Sequence, residues 1–256
     1  MLFALCSSAV AQQTGKIPRI GFLDSSTASG TAVINDAFRQ ELTKLGWIEG
    51  KNITIEYRFA EQKSERLPEL AAELVRLKVD LIVASGPPPA SAAKKATITI
   101  PIVITTGDPV GLGLVASLAR PGGNLTGASS LAPELNGKRL EILKDAVPKL
   151  TRVGVLWWSG SRMQQENQFK EIRPAALALK LNLDEIEMEV DPKSLEKAFQ
   201  TAKQKRVEGI LTTGSRSFFA ERKRIVELAG KYRLPAIYPE KGFVDEGGHV
   251  LRRGLH

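Results

Sequence analysis

The chain has 256 residues, 43% of them hydrophobic and 25% charged, with a formal net charge of +8. That is an ordinary globular composition, long enough for one large core or two modest ones. The single cysteine, Cys6, excludes an intrachain disulfide and a cysteine metal cluster. The only histidines, His249 and His256, lie at the very end, so the body of the chain has no histidine metal site and no Ser-His or Cys-His pair.

The start, Met1 to Gln13, is uncharged and rich in small and apolar residues, and Ala9-Val10-Ala11 fits the small-x-small pattern of signal cleavage. A clipped signal peptide is expected there; Leu5 is too bulky for Cys6 to be a good lipid-anchor site. Arg19 to Leu23 is a short apolar run suited to a buried parallel strand. Asp24-Ser25-Ser26-Thr27 follows, small and polar, ready to cap a helix over Ala32 to Leu45 whose apolar face is Val33, Ala37, Phe38, Leu42 and Leu45. Asn52 to Phe59 alternates as a strand, and Arg66 to Leu77 is an amphipathic helix. Val79 to Ala84 is a strand that ends at Ser85-Gly86. Pro87 to Lys95 opens as a helix with prolines where early N–H groups need no partner. A strand over Ile100 to Ile104, a helix over Gly111 to Ala119 and a short strand ending at Ser129-Ser130 complete the first half.

The second half reads as a helix over Leu135 to Ala146, a strand over Arg152 to Trp157, and a helix over Gln164 to Leu179 that Pro174 should kink. Leu183 to Val190 (strand), Pro192 to Lys205 (helix), Val207 to Leu211 (strand), Phe219 to Tyr232 (helix) and Ala236 to Tyr238 (strand) follow. Lys197, Lys203, Lys205 and Arg206 mix with Glu196 on one helix, and Arg222, Lys223 and Arg224 with Glu221 and Glu227 on the next. These are solvated faces, and no nucleic-acid partner is expected.

Strands alternating with helices indicate a parallel α/β sheet. Three strand signatures recur in order at an offset of roughly 130 residues. Arg19-Ile20-Gly21-Phe22-Leu23 matches Arg152-Val153-Gly154-Val155-Leu156, Val79-Asp80-Leu81-Ile82 matches Val207-Glu208-Gly209-Ile210, and Ile100-Pro101-Ile102-Val103 matches Leu234-Pro235-Ala236-Ile237. That argues for two similarly folded lobes. Ligands of open parallel sheets bind beyond the carboxyl ends of the strands. The residues placed there are Ser25, Ser26, Ser85, Gly86, Thr106, Asp108 and Ser129 from the first lobe and Trp158, Ser159, Thr213 and Tyr238 from the second. Small hydroxyls with one acid and two aromatics suit hydrogen bonding to a small polar ligand. Neither Gly-x-Gly-x-x-Gly, nor a phosphate-cradling Gly-Lys-Ser/Thr loop, nor Gly-x-Ser-x-Gly is present. No cofactor, no metal and no enzyme activity are therefore expected.

The stretch Leu118-Ala119-Arg120-Pro121-Gly122-Gly123-Asn124-Leu125-Thr126-Gly127 resembles a motif of bacterial ABC-transporter substrate-binding proteins, the tryptophan/tyrosine-type uptake binders. Asp108-Pro109-Val110-Gly111, Val153 to Trp157, Arg233 to Tyr238 and Gly242 to Gly248 resemble that family as well. The resemblance implies a type I periplasmic-binding fold, a ligand (an amino acid in many members) clamped between two lobes, and an ABC permease as partner. Two departures stand out. Trp158-Ser159 replaces the family's Asn-Pro, and the chain runs from His249 to His256 where the family continues Leu-Met-Ser-Tyr-Gly. A frameshift would explain the second.

The expected fold is α/β, with two doubly wound parallel-sheet lobes joined by a hinge and the closing C-terminal elements missing. Residues 1–16 would be the clipped signal and N-terminus, 17–130 the first lobe, 131–248 the second, and 249–256 the aberrant tail. The expected function is that of a periplasmic, monomeric solute-binding protein of an ABC uptake transporter. Alternatives are a ligand-sensing domain of the same fold and an α/β enzyme.

Overall fold

The computed structural model describes residues 16–130, 134–158, 162–189 and 192–248; the expected signal peptide, Ser159 and the tail lie outside them. In the first lobe, β1 (Arg19–Asp24), β2 (Thr54–Phe59), β3 (Leu81–Ser85), β4 (Ile102–Gly107) and β5 (Leu125–Ser130) form one parallel sheet in the order β2-β1-β3-β4-β5. In the second, β6 (Arg152–Trp158), β7 (Asn182–Met188), β8 (Gly209–Thr212) and β9 (Ala236–Ile237) form another in the order β7-β6-β8-β9, again all parallel. Parallel neighbours need crossovers, which helices supply. They are α1 (Ala32–Lys44), α2 (Leu67–Arg76) and α3 (Pro87–Ala96) in the first lobe. The second has α4 (Asn136–Ala146), α5 (Arg162–Ala178), α6 (Pro192–Gln204), α7 (Arg216–Ala220), α8 (Arg222–Lys231) and α9 (Lys241–Asp245).

Both faces of each sheet are packed, and strand residues divide between them by alternation. Phe22 and Val83 join Ile53 and Ile55 on the side where Phe38 and Leu42 of α1 rest. Leu23, Ile82 and Ala84 face the other way, onto Leu70 and Leu74 of α2 and Ala90 and Ala93 of α3. In the second lobe Val153, Val155 and Trp157 pack with Leu140 and Phe169, while Leu156 packs with Leu195, Phe199 and Phe218.

The internal repeat has a physical counterpart in each lobe. A Cβ at Gly21 would meet the Leu74 side chain at 3.0 Å, and one at Gly154 would meet Ile186 at 3.0 Å. The central glycine of each lobe's first strand thus lets a side chain from a neighbouring element, Leu74 of α2 or Ile186 of β7, pack directly against the strand. Asp80 accepts from the Arg19 N–H at 2.8 Å, and Glu208 accepts from the N–H groups of Thr151 at 2.6 Å and Arg152 at 3.2 Å. Each acid closes the open start of its lobe's first strand. The Pro101 and Pro235 carbonyls accept from Ile82 and Ile210 respectively.

Several expected elements differ in detail. The stretch 111–119 is not a helix. Gly113 has φ +66°, the Lys94 ammonium donates to the Gly113 and Leu114 carbonyls, and Leu112, Leu114 and Val115 bury themselves from consecutive turns. Two glycines and this external carbonyl partner favour turns over helix. Asp24 to Thr27 does not cap α1, which starts after Thr31 with no side-chain cap. Val33 of α1 and Leu45, just past its end, are exposed. Pro174 lies inside a continuous α5, the expected Phe219–Tyr232 helix is two helices meeting at Glu221, and α9 was not anticipated.

The Pro121–Gly127 loop feeds β5 and is tied down by Asn124, whose amide donates to the carbonyls of Thr97 at 3.2 Å and Ile100 at 2.6 Å. Gly127 has φ +152°, and a Cβ there would overlap the Ile104 backbone of β4. Gly127→Ala should therefore cost about 2 kcal/mol or more of stability, because the obstruction is backbone and cannot rotate away. Thermal denaturation checks this, and an unchanged midpoint would contradict it.

Candidate functional site

Both sheets reverse their winding once. In the first lobe β1 runs outward to β2 on one side while β3 lies on the other; in the second, β6 stands in the same way between β7 and β8. Loops leaving adjacent strands in opposite directions open a crevice at their carboxyl ends. The two crevices face each other and enclose a cleft of about 320 Å³.

The first-lobe wall is made by Ser25 after β1, Gly86, Pro87 and Pro88 after β3, Thr105 to Gly107 at the end of β4, Leu112, and Ala128 to Ser130 of β5. The second-lobe wall is made by Trp158 at the end of β6, Asn167 and Gln168 of α5, Gly214 to Arg216 after β8, and Glu240 after β9. Of the residues expected from sequence, Ser25, Gly86, Thr106, Ser129 and Trp158 line this space. Ser26 is buried behind it, its N–H donating to Asp24 Oδ1 at 2.8 Å. Thr213 is buried, its hydroxyl donating to the Leu156 carbonyl. Asp108 is occupied by protein: Asn167 Nδ2 donates to Oδ2 at 2.7 Å and the Gly111 N–H to Oδ1 at 2.8 Å. Tyr238 stacks on Phe243 at 5.1 Å, its hydroxyl pushed up to about 12 by burial, and faces a separate cavity of about 600 Å³ on the second lobe.

The lobes touch at several points beside the cleft. Arg216 Nε donates to Ser85 Oγ at 2.7 Å, Gln62 Nε2 to Glu221 Oε1 at 3.4 Å, and Arg222 Nη1 to the Gly30 carbonyl at 3.4 Å. A Cβ at Gly30 would lie 2.5 Å from the Ala220 Cβ. That approach requires glycine.

Sequence reasoning missed Arg216, Glu240, Asn167 and Gln168. Arg216 and Glu240 follow strand ends, which was a usable signal; Asn167 and Gln168 sit mid-helix, where only the packing of α5 turns them inward. Gln168 is fixed by its partners, accepting from Asn136 Nδ2 at 2.8 Å and donating to the Gly214 carbonyl at 3.4 Å. Glu240 is exposed at the cleft edge, yet desolvation of its carboxyl raises it above the usual carboxylate range against the opposing pull of Arg216 and Arg139.

Asp24 lies beneath the cleft, 1% exposed. Burial raises its carboxyl, outweighing the Ser26 N–H and the Arg216 charge, which lower it. The folded chain thus holds this proton to higher pH than the unfolded chain. The resulting stabilisation is full below the unfolded value of about 3.9 and is lost as pH rises through the folded value. Asp24→Asn keeps an oxygen for Ser26 and removes the titration. In urea melts its stability relative to the natural protein should improve as pH is raised from about 4 to 7; a pH-independent difference would contradict this.

A family model described as ABC transporter substrate binding protein matches residues 27–251. A tyrosine-binding protein of Clostridioides difficile (strain R20291) is 29% identical over 211 residues, covering 82% of this chain and 60% of that protein's own length. Among solved structures, a conserved domain protein from Vibrio cholerae superposes with a TM-score of 0.81 at 24% identity, over 91% of this chain and 77% of that one. An ABC domain in complex with L-Trp from Streptococcus pneumonia superposes with a TM-score of 0.78 at 21% identity, over 91% and 77% respectively. These superpositions establish the type I periplasmic-binding fold. The family match runs from β2 through β9 and takes in every cleft residue after Ser25, and the chain belongs to the ABC transporter substrate binding protein family.

Proposed function

We propose that the protein is the extracytoplasmic solute-binding component of an ABC uptake transporter, holding a small polar ligand, an amino acid, between its lobes and handing it to an inner-membrane permease. It would act as a periplasmic monomer with no chemistry of its own. The observation that carries this reading is the cleft: it is walled by the strand ends of both lobes, and hydrogen bonds join the lobes beside it. A ligand there gains contacts from both walls only when the lobes are together, so binding and closure are one equilibrium. A cleft of about 320 Å³ suits a ligand of amino-acid size. The relatives point the same way, since one is a tyrosine-binding protein and another was solved with L-Trp.

Ser25, Gly86, Thr106, Ser129 and Trp158 would contact the ligand. Ser26, Ser85, Asp108 and Thr213 would hold the walls in shape, Asp108 through its bond to Asn167.

Titration of the protein with the proteinogenic amino acids tests the reading. A ligand present at a hundred times its Kd should add about 2.7 kcal/mol of stability, visible as a raised melting midpoint. No shift with any of them would count against an amino-acid ligand. Closure has its own test. Gly30→Val places methyl groups where Ala220 sits and should hold the lobes apart, weakening ligand affinity about tenfold or more while the fold persists, with a larger radius of gyration in small-angle scattering. Unaltered affinity would show that the Gly30–Ala220 approach is not part of the bound state.

A further inference from the structure

The start of α3 faces the cleft, and in a parallel α/β sheet such a helix start ordinarily offers backbone N–H groups to an anion. Here it offers none. Pro87, Pro88 and Pro89 fill the first turn and have no N–H, and the Gly86 N–H is already given to the Thr105 carbonyl at 2.9 Å. The Ser26 N–H on the neighbouring loop is likewise taken by Asp24. What the first lobe presents at this point is two pyrrolidine rings and hydroxyls, a neutral and partly apolar surface.

Charge comes from the second lobe. Arg216 reaches across the cleft, its Cγ 3.6 Å from where a Cβ on Gly86 would stand. Its Nε is held by Ser85, which fixes the guanidinium plane, and its terminal nitrogens have no hydrogen-bond partner among the described residues. Glu240 enters the same space from the end of β9, and its carboxylate also has no hydrogen-bond partner there. The two charges sense each other but form no ion pair within 4.0 Å. An opposite pair held in one cleft without contact is the electrostatic complement of a zwitterion.

We propose that Arg216 receives the ligand's carboxylate in place of the α3 amides, and that Glu240 receives its ammonium group, so that these two side chains select a zwitterion over a plain anion or a plain amine. Pro87, Pro88 and Trp158 then hold the ligand's apolar part. This rests on the solute-binding reading above and adds to it the two residues that read charge. A bidentate guanidinium–carboxylate contact replaces a helix-terminus site, so recognition is set by the second lobe and completed against the first.

The test compares three probes on the full chain: L-tryptophan, tryptamine, which lacks the carboxylate, and indole-3-propionate, which lacks the amine. The natural protein should bind L-tryptophan at least about tenfold more tightly than either analogue. Arg216→Gln should remove most of its preference over tryptamine and leave its preference over indole-3-propionate. Glu240→Gln should do the reverse. Melting midpoints verify that both variants are folded, and Arg216→Lys, which retains the charge, should recover part of the preference over tryptamine if Arg216→Gln proves unstable. A uniform loss of affinity for all three probes in Arg216→Gln would mean that Arg216 only supports the wall through Ser85, and would overturn the proposal while leaving the solute-binding reading standing. Failure of the natural protein to bind L-tryptophan or any other amino acid would overturn both.

Discussion

Parallel pairing in both sheets is the constraint on which the molecule depends. Because no strand among the described residues runs backward, each of them delivers its carboxyl end to the same side of its sheet. Side chains inside the sheets are committed to packing, so the cleft's polar and charged groups come from the strand ends and the loops after them, with Asn167 and Gln168 added from α5. The winding reversals at β1/β3 and β6/β8 then determine which loops part and leave space. With the lobes facing each other, two such spaces become one cleft.

The two walls of that cleft differ in kind. The first lobe contributes hydroxyls and prolines, and its backbone donors near α3 and β1 are spent on internal bonds to Thr105 and Asp24. The second contributes Arg216, Glu240 and an indole ring. Asp24 sits under this arrangement as a buried acid near Arg216, so part of the cleft's electrostatics is set from below by a group that does not line it. Contacts such as Arg216 to Ser85 and Asn167 to Asp108 join side chains on opposite walls. Any movement of the lobes must break them and any ligand must fit between them.

Much of the fold is legible in the sequence because burial imposes short, repetitive patterns. The matched strands, with their central glycines at Gly21 and Gly154, carry packing requirements that leave a residue-level trace. The acids at Asp80 and Glu208 do the same for strand starts. The stretch 111–119 misled because its apolar residues have helical spacing, whereas Gly113 and the Lys94 ammonium favour turns. The site was half legible. Ser25, Gly86, Thr106, Ser129 and Trp158 follow from being at strand ends. Tyr238 also lies at a strand end, but it stacks on Phe243 of α9, a helix the sequence did not reveal. Asp108 looked like a free acid because its partner, Asn167, lies on a helix of the other lobe. Arg216 was hidden by its company, since basic residues are plentiful on this chain and nearly all of them lie on solvated faces.

A ligand held between the lobes, with its charges read from the second and its apolar body against the first, is the central proposal. A crystal structure of the protein with a bound amino acid tests this most directly. Density is expected between Pro87–Pro88 and Trp158, with the carboxylate on Arg216. A ligand in the second-lobe cavity beside Tyr238, or one touching a single lobe, would contradict it.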